Sequence, residues 1–181
     1  MGHQEVILVP VRRYDYVGTR MTVLAIIIVA VAVALPIWFV DDARVTFGLF
    51  GFTCYFEDYP CQVAVRVYKS LDDSFLLITR VLMLSCLSAA SMAVVISNCA
   101  CTQMIKSQLM SVLLTLVSAL LAIGALIYFF LCAFGYGTFP VYLYDANHKG
   151  GLGFSFYIAA VGAFGLLASS TFGTVNICCL R

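Results

Sequence analysis

Residues 21–40 read MTVLAIIIVAVAVALPIWFV, a run without one charged side chain. A helix needs about 20 such residues to cross the hydrocarbon of a bilayer, so this stretch decides the class of the protein. Arg12, Arg13 and Arg20 precede it. Its apolar part is longer than the ~7–15 residues of a signal-peptide core. Pro36 and Trp38 at its far end suit an interfacial anchor better than a cleavage site. The run is therefore read as a retained first span.

Three more runs of this kind follow, after Arg80, after Lys106 and from Gly150 onward. The chain has 181 residues, of which 63% are hydrophobic and 10% charged. A soluble domain carries about 25% charge, so this surface cannot be meant for water alone. The expected organisation is one tetraspan domain over 1–181: an N-terminal segment 1–20, spans at 21–40, 81–103, 109–135 and 153–177, loops at 41–80, 104–108 and 136–152, and a short end at 178–181. Position 6 is valine, so Gly2 does not open a myristoylation pattern.

Several classes of function find no support. Net charge is +1 and no basic cluster exists to neutralise phosphates, so nucleic acid is not an expected partner. His3 and His148 stand apart from other ligand-type residues, so no metal site, cofactor or catalytic residue is expected. No charged residue lies in the middle of a span, which argues against an ion-coupled transporter or a proton relay.

Four spans place both termini on one side. With the termini inside, five basic residues lie inside and five outside, so the positive-inside count does not decide orientation. The cysteines divide into groups. Cys54 and Cys61 share the first loop and are either free thiols or, in an oxidising compartment, the ends of a small closed ring. Cys86 and Cys132 lie within spans and read as small apolar packing residues. Cys99, Cys101, Cys178 and Cys179 sit where the second and fourth spans end, either as palmitoylation sites or as unmodified interfacial cysteines.

The first loop reads differently from the spans. Residues 45–56 are rich in β-branched and aromatic side chains and predict a strand. Glu57-Asp58-Tyr59-Pro60 is a turn cluster, and residues 62–68 alternate as a second, half-buried strand does. Residues 70–79 predict a short helix leading into the second span. In the second long loop, residues 140–144 predict another strand and 145–151 a turn. The two loops together predict a small antiparallel sheet seated on a four-helix bundle.

In order along the chain stand Leu35-Pro36-x-Trp38, Gly48-Leu49-Phe50, Cys54 and Cys61, then Arg80 with Leu82-Met83, then Cys99-x-Cys101, then Lys149-x-x-Leu152-Gly153-x-Ser155-x-Tyr157, then Cys178-Cys179. This series resembles the claudins and the wider superfamily of peripheral myelin protein and calcium-channel gamma subunits. The resemblance runs from about residue 35 to 179. It implies a Cys54–Cys61 disulfide, a bridge of that size contributing about 2–3 kcal/mol in the chain-entropy model. Phe50 stands where the family has tryptophan, and few residues separate the two cysteines. The sequence does not close on the family's Tyr-Val, so PDZ-scaffold binding through the C-terminus is not expected.

Single residues carry two readings each. Trp38 is an aromatic-belt anchor or, by resemblance, the base on which the sheet rests. Arg80 snorkels to headgroups or, by resemblance, bonds the loop that carries Gly48-Leu49-Phe50. Asp41, Asp42, Asp72 and Asp73 face water or tune a cation path. Small residues at 88–91 and at Gly162, Gly165 and Ala168 serve packing within the bundle or assembly of copies. The resemblance implies a plasma-membrane protein at cell–cell junctions, with both termini cytosolic. It implies adhesion and a paracellular barrier through lateral and trans self-association, with membrane lipids as surroundings. The alternative it leaves open is an auxiliary subunit of an ion channel or receptor.

Overall fold

The computed structural model describes residues 12–41, 45–54, 75–99, 105–134 and 151–179. Four helices dominate: α1 (Arg12–Ala34), α2 (Leu77–Cys99), α3 (Ile105–Phe134) and α4 (Phe154–Cys179). All four are long and apolar enough to cross a membrane. Strands β1 (Phe39–Asp41), β2 (Val45–Phe47), β3 (Phe52–Cys54) and β4 (Gly151–Leu152) form one antiparallel sheet in the order β3-β2-β1-β4.

The first helix stops at Ala34 rather than running to position 40. Pro36 explains this. Its ring lacks the N–H that would bond the carbonyl of Ala32, and it pushes Leu35 away from helical geometry. The last helical bond is Leu35 N–H to the Val31 carbonyl, 3.0 Å. Phe39 and Val40, expected in the span, open the sheet instead. The helix also starts earlier than the first uncharged residue, at Arg12. The second helix reaches back to Leu77 through a wide turn at Phe75 and Leu76, so Arg80 lies one turn inside it.

The single strand expected over 45–56 is two strands. Gly48 to Gly51 form the turn between them, closed by Gly48 N–H to the Gly51 carbonyl at 2.7 Å. The register pairs Val45 with Cys54 and Phe47 with Phe52. The sheet does draw on both long loops: β4 pairs with β1, Phe39 opposite Leu152. The strand expected at 140–144, the second strand at 62–68 and residues 70–74 of the short lead-in helix lie outside the described residues.

The bundle core is built from small residues on the helix faces that meet. Ala25, Val29, Ala32, Ala90, Ala119, Ala122, Ala159 and Ala163 are buried, whereas Phe164 is 68% exposed and Val161 61%. Apolar faces this large need an apolar surrounding, which a bilayer supplies. A Cβ at Gly162 would stand 2.5 Å from a Val29 methyl, and one at Gly165 would stand 3.2 Å from the Ala25 Cβ. Those two glycines therefore let α4 approach α1 closely, which is the packing role expected of them. Ser88 and Ser91, by contrast, are exposed.

Candidate functional site: the seat of the sheet on the bundle

Trp38 is the centre of the junction between sheet and helices. It is fully buried. Its indole N–H donates to the Ala32 carbonyl at 2.8 Å, the carbonyl that Pro36 leaves without a helical donor. The residue that ends α1 thus creates an acceptor, and the tryptophan two places later satisfies it. The ring stands edge-on to Phe129 of α3, centroids 5.3 Å apart, and to Phe156 of α4, 6.3 Å apart. Phe75, at the head of α2, stacks on Phe129 at 5.2 Å. Rings from α3 and α4 therefore close on one side chain, and Phe75 extends the cluster through Phe129. Edge-to-face pairs of this kind contribute about 0.5–1.5 kcal/mol each beyond burial.

The backbone around Trp38 joins the same elements. Its N–H donates to the Phe47 carbonyl at 2.7 Å, and its carbonyl accepts from Gly153 N–H at 2.8 Å. One residue earlier, the Ile37 carbonyl accepts from Ser155 N–H at 3.0 Å. Ser155 belongs to the first turn of α4, whose N–H groups have no partner within the helix. The segment leaving α1 therefore caps α4.

Two glycines make this approach possible. A Cβ at Gly48 would fall 2.5 Å from Pro36 Cα, and one at Gly153 would fall 2.1 Å from the Ile37 carbonyl oxygen. Both obstacles are backbone, which cannot swing aside. Only glycine fits these positions.

The turn between β2 and β3 is held from below. Leu49 is fully buried, and its carbonyl accepts a hydrogen bond from Arg80 Nε. The Arg80 guanidinium also lies 5.2 Å from the centroid of the Phe50 ring. Phenylalanine at 50 thus offers the arginine a cation–π face, while its ring stays half exposed. Of the two roles expected for Arg80, bonding to this turn is the one the geometry displays.

The other candidate residues fall as follows. Leu35, Pro36, Trp38, Gly48, Leu49, Phe50, Arg80 and Gly153 converge on this junction, with Leu152 beside it in β4. Tyr157 touches the cluster only at its margin: it is 56% exposed, with its ring edge-on to Phe156 at 5.9 Å. Asp41 closes β1 opposite Val45. Cys54 closes β3 and is not among the free thiols, which among the described residues are Cys86 and Cys132. Cys99 ends α2 and Cys178-Cys179 end α4. Cys61, Cys101, Asp42, Asp72 and Asp73 lie outside the described residues. Sequence reasoning missed Phe75, Phe129 and Phe156, because nothing local marks aromatics this far apart in the chain as one cluster. It also missed Ala32, although a proline four places on is a readable signal for an acceptor left open.

Among the described residues, no group of three or more His, Cys, Asp or Glu could hold a metal ion. Thr46 in β2 keeps a buried hydroxyl without a hydrogen-bond partner, and nothing in the structure explains it. No protein-family model matches this chain, and no curated protein matches it.

Proposed function

We propose that the chain is a claudin-like tetraspan of the plasma membrane, with both termini cytosolic, that mediates cell–cell adhesion and a paracellular barrier by self-association within and across membranes. The observation that carries the reading is the Trp38 junction. A protein that adheres through an ectodomain must transmit force from that ectodomain to its membrane anchor. The sheet is fixed to the bundle by ring packing, by backbone bonds to β2 and α4 and by two contacts that admit no Cβ. This is support for a load-transmitting platform. A Cys54–Cys61 bridge would add a covalent constraint beyond β3, with Cys54 already at the strand's end.

The test is expression of the tagged chain in cells that lack junction strands of their own. Enrichment at contacts between two expressing cells, with strands in freeze-fracture replicas, is the expected result. Absence of both, together with stoichiometric co-purification of a channel or receptor in detergent, would replace this reading with that of an auxiliary subunit.

A further inference from the structure

Among the described residues of the sheet and its turns, Phe50 is the one large apolar side chain that is exposed, at 54%. Its neighbour Leu49 is fully buried. The turn that carries both is constrained. Gly48 N–H closes it on the Gly51 carbonyl at 2.7 Å, and Arg80 Nε holds the Leu49 carbonyl. With Leu49 pinned inward, the backbone holds the Phe50 ring outward.

The height of that ring follows from Arg80. The apolar window of α2 opens at Leu77, so Arg80 stands about 4.5 Å inside it at 1.5 Å rise per residue. Its side chain leans back toward the helix N-terminus, which brings the guanidinium to the boundary between acyl chains and headgroups. The Phe50 centroid lies 5.2 Å from that guanidinium, so the ring stands at the same boundary.

The side it faces follows from the same residue. Around α2, Leu84 and Leu77 stand about 40° and 60° from Arg80 and are exposed. Met83 stands about 60° away in the other direction and is fully buried. Arg80 therefore marks the border between bundle core and lipid face. Phe50 beside it continues the exposed apolar surface of Leu77 and Leu84, the surface that a bilayer must cover.

We propose that the tip of the β2–β3 turn is a lipid-binding element: Phe50 inserts among the upper acyl chains of the leaflet on the sheet's side. Hydrocarbon there takes up the apolar area that the ring would otherwise expose to water. The bilayer thus holds the sheet at the turn, in addition to the protein contacts around Trp38. This inference rests on the four spans and not on adhesion.

The test places Phe50→Trp in nanodiscs, where the emission it adds is read against the wild type, whose single tryptophan is the buried Trp38. The added emission should be mostly lost in phosphatidylcholine brominated near the headgroup end of its acyl chains. It should fall less when the bromines lie deep, and aqueous acrylamide should leave it nearly intact. A second variant, independent of how tryptophan is accommodated, carries the photocrosslinker p-benzoylphenylalanine at position 50. Irradiation should yield a phospholipid adduct on the full chain, as the same crosslinker should at position 84. At position 53, exposed and farther along β3, the adduct should be largely lost. The proposal is overturned if acrylamide quenches the added emission and bromolipid does not, if neither quenches it, or if the crosslinker at position 50 captures a second copy or another protein in place of lipid.

Discussion

The two ends of the bundle are held by different physics. At the sheet end, bulky rings pack around Trp38 and two backbones touch where glycine alone fits. Toward the far end, hydroxyls join the helices. Ser169 donates to the Gly18 carbonyl at 2.9 Å and lies 2.7 Å from the Thr22 hydroxyl. Thr19 and Ser97 lie 2.8 Å apart, linking α1 to α2. Ser111 donates to the Ala93 carbonyl at 2.9 Å. Hydrogen bonds of this kind between spans average only about 0.6 kcal/mol, because the unfolded chain in a membrane also finds partners. The sheet end is therefore expected to be stiff and intolerant, the far end adjustable.

Substitutions can break this contrast, beginning with the largest effect. Trp38→Ala removes the centre of the ring cage and should destabilise the protein by about 3–5 kcal/mol, read as a lower melting temperature and loss from the cell surface. Gly153→Ala forces a methyl into the Ile37 carbonyl and should cost about 3 kcal/mol. Gly162→Ala meets a Val29 methyl first, at 2.5 Å, with the nearest backbone atom, Val29 N, at 3.2 Å, and should cost visibly less in the same melting assay. Equal losses from the two glycine variants would erase the difference between backbone and side-chain obstacles. Trp38→Phe keeps a ring but leaves the Ala32 carbonyl unbonded, an expected cost of about 1–3 kcal/mol. At the far end, Ser169→Ala should lower stability by about 0.6 kcal/mol, a small shift in melting temperature.

The sequence made the spans legible because a bilayer imposes one simple requirement, a long run without charge. It made Trp38, Gly48 and Arg80 legible as residues but not their contacts. Pro36 is the instructive case. Its position already implied an end to α1 near Ala34 and an open carbonyl at Ala32, yet the apolar residues beyond it extended the expected span to Val40. Hydropathy cannot tell a buried strand from the last turn of a helix, and Phe39 and Val40 belong to both patterns. The turn at Gly48–Gly51 was hidden in the same way. β-branched and aromatic residues flank it on both sides, so composition alone favours one long strand. The ring cluster of Trp38, Phe129, Phe156 and Phe75 was not legible at all, since it exists only once the helices are side by side.

Amide hydrogen exchange on the full chain in lipid nanodiscs tests most directly whether sheet and bundle form one body. The amides of Trp38, Gly153 and Ser155 should exchange as slowly as those in the middle of α4, such as Ala163, and Trp38→Ala should release the first three while sparing the last. Rapid exchange at Trp38, Gly153 and Ser155 in the wild-type protein, beside protected spans, would contradict a sheet locked to its membrane anchor.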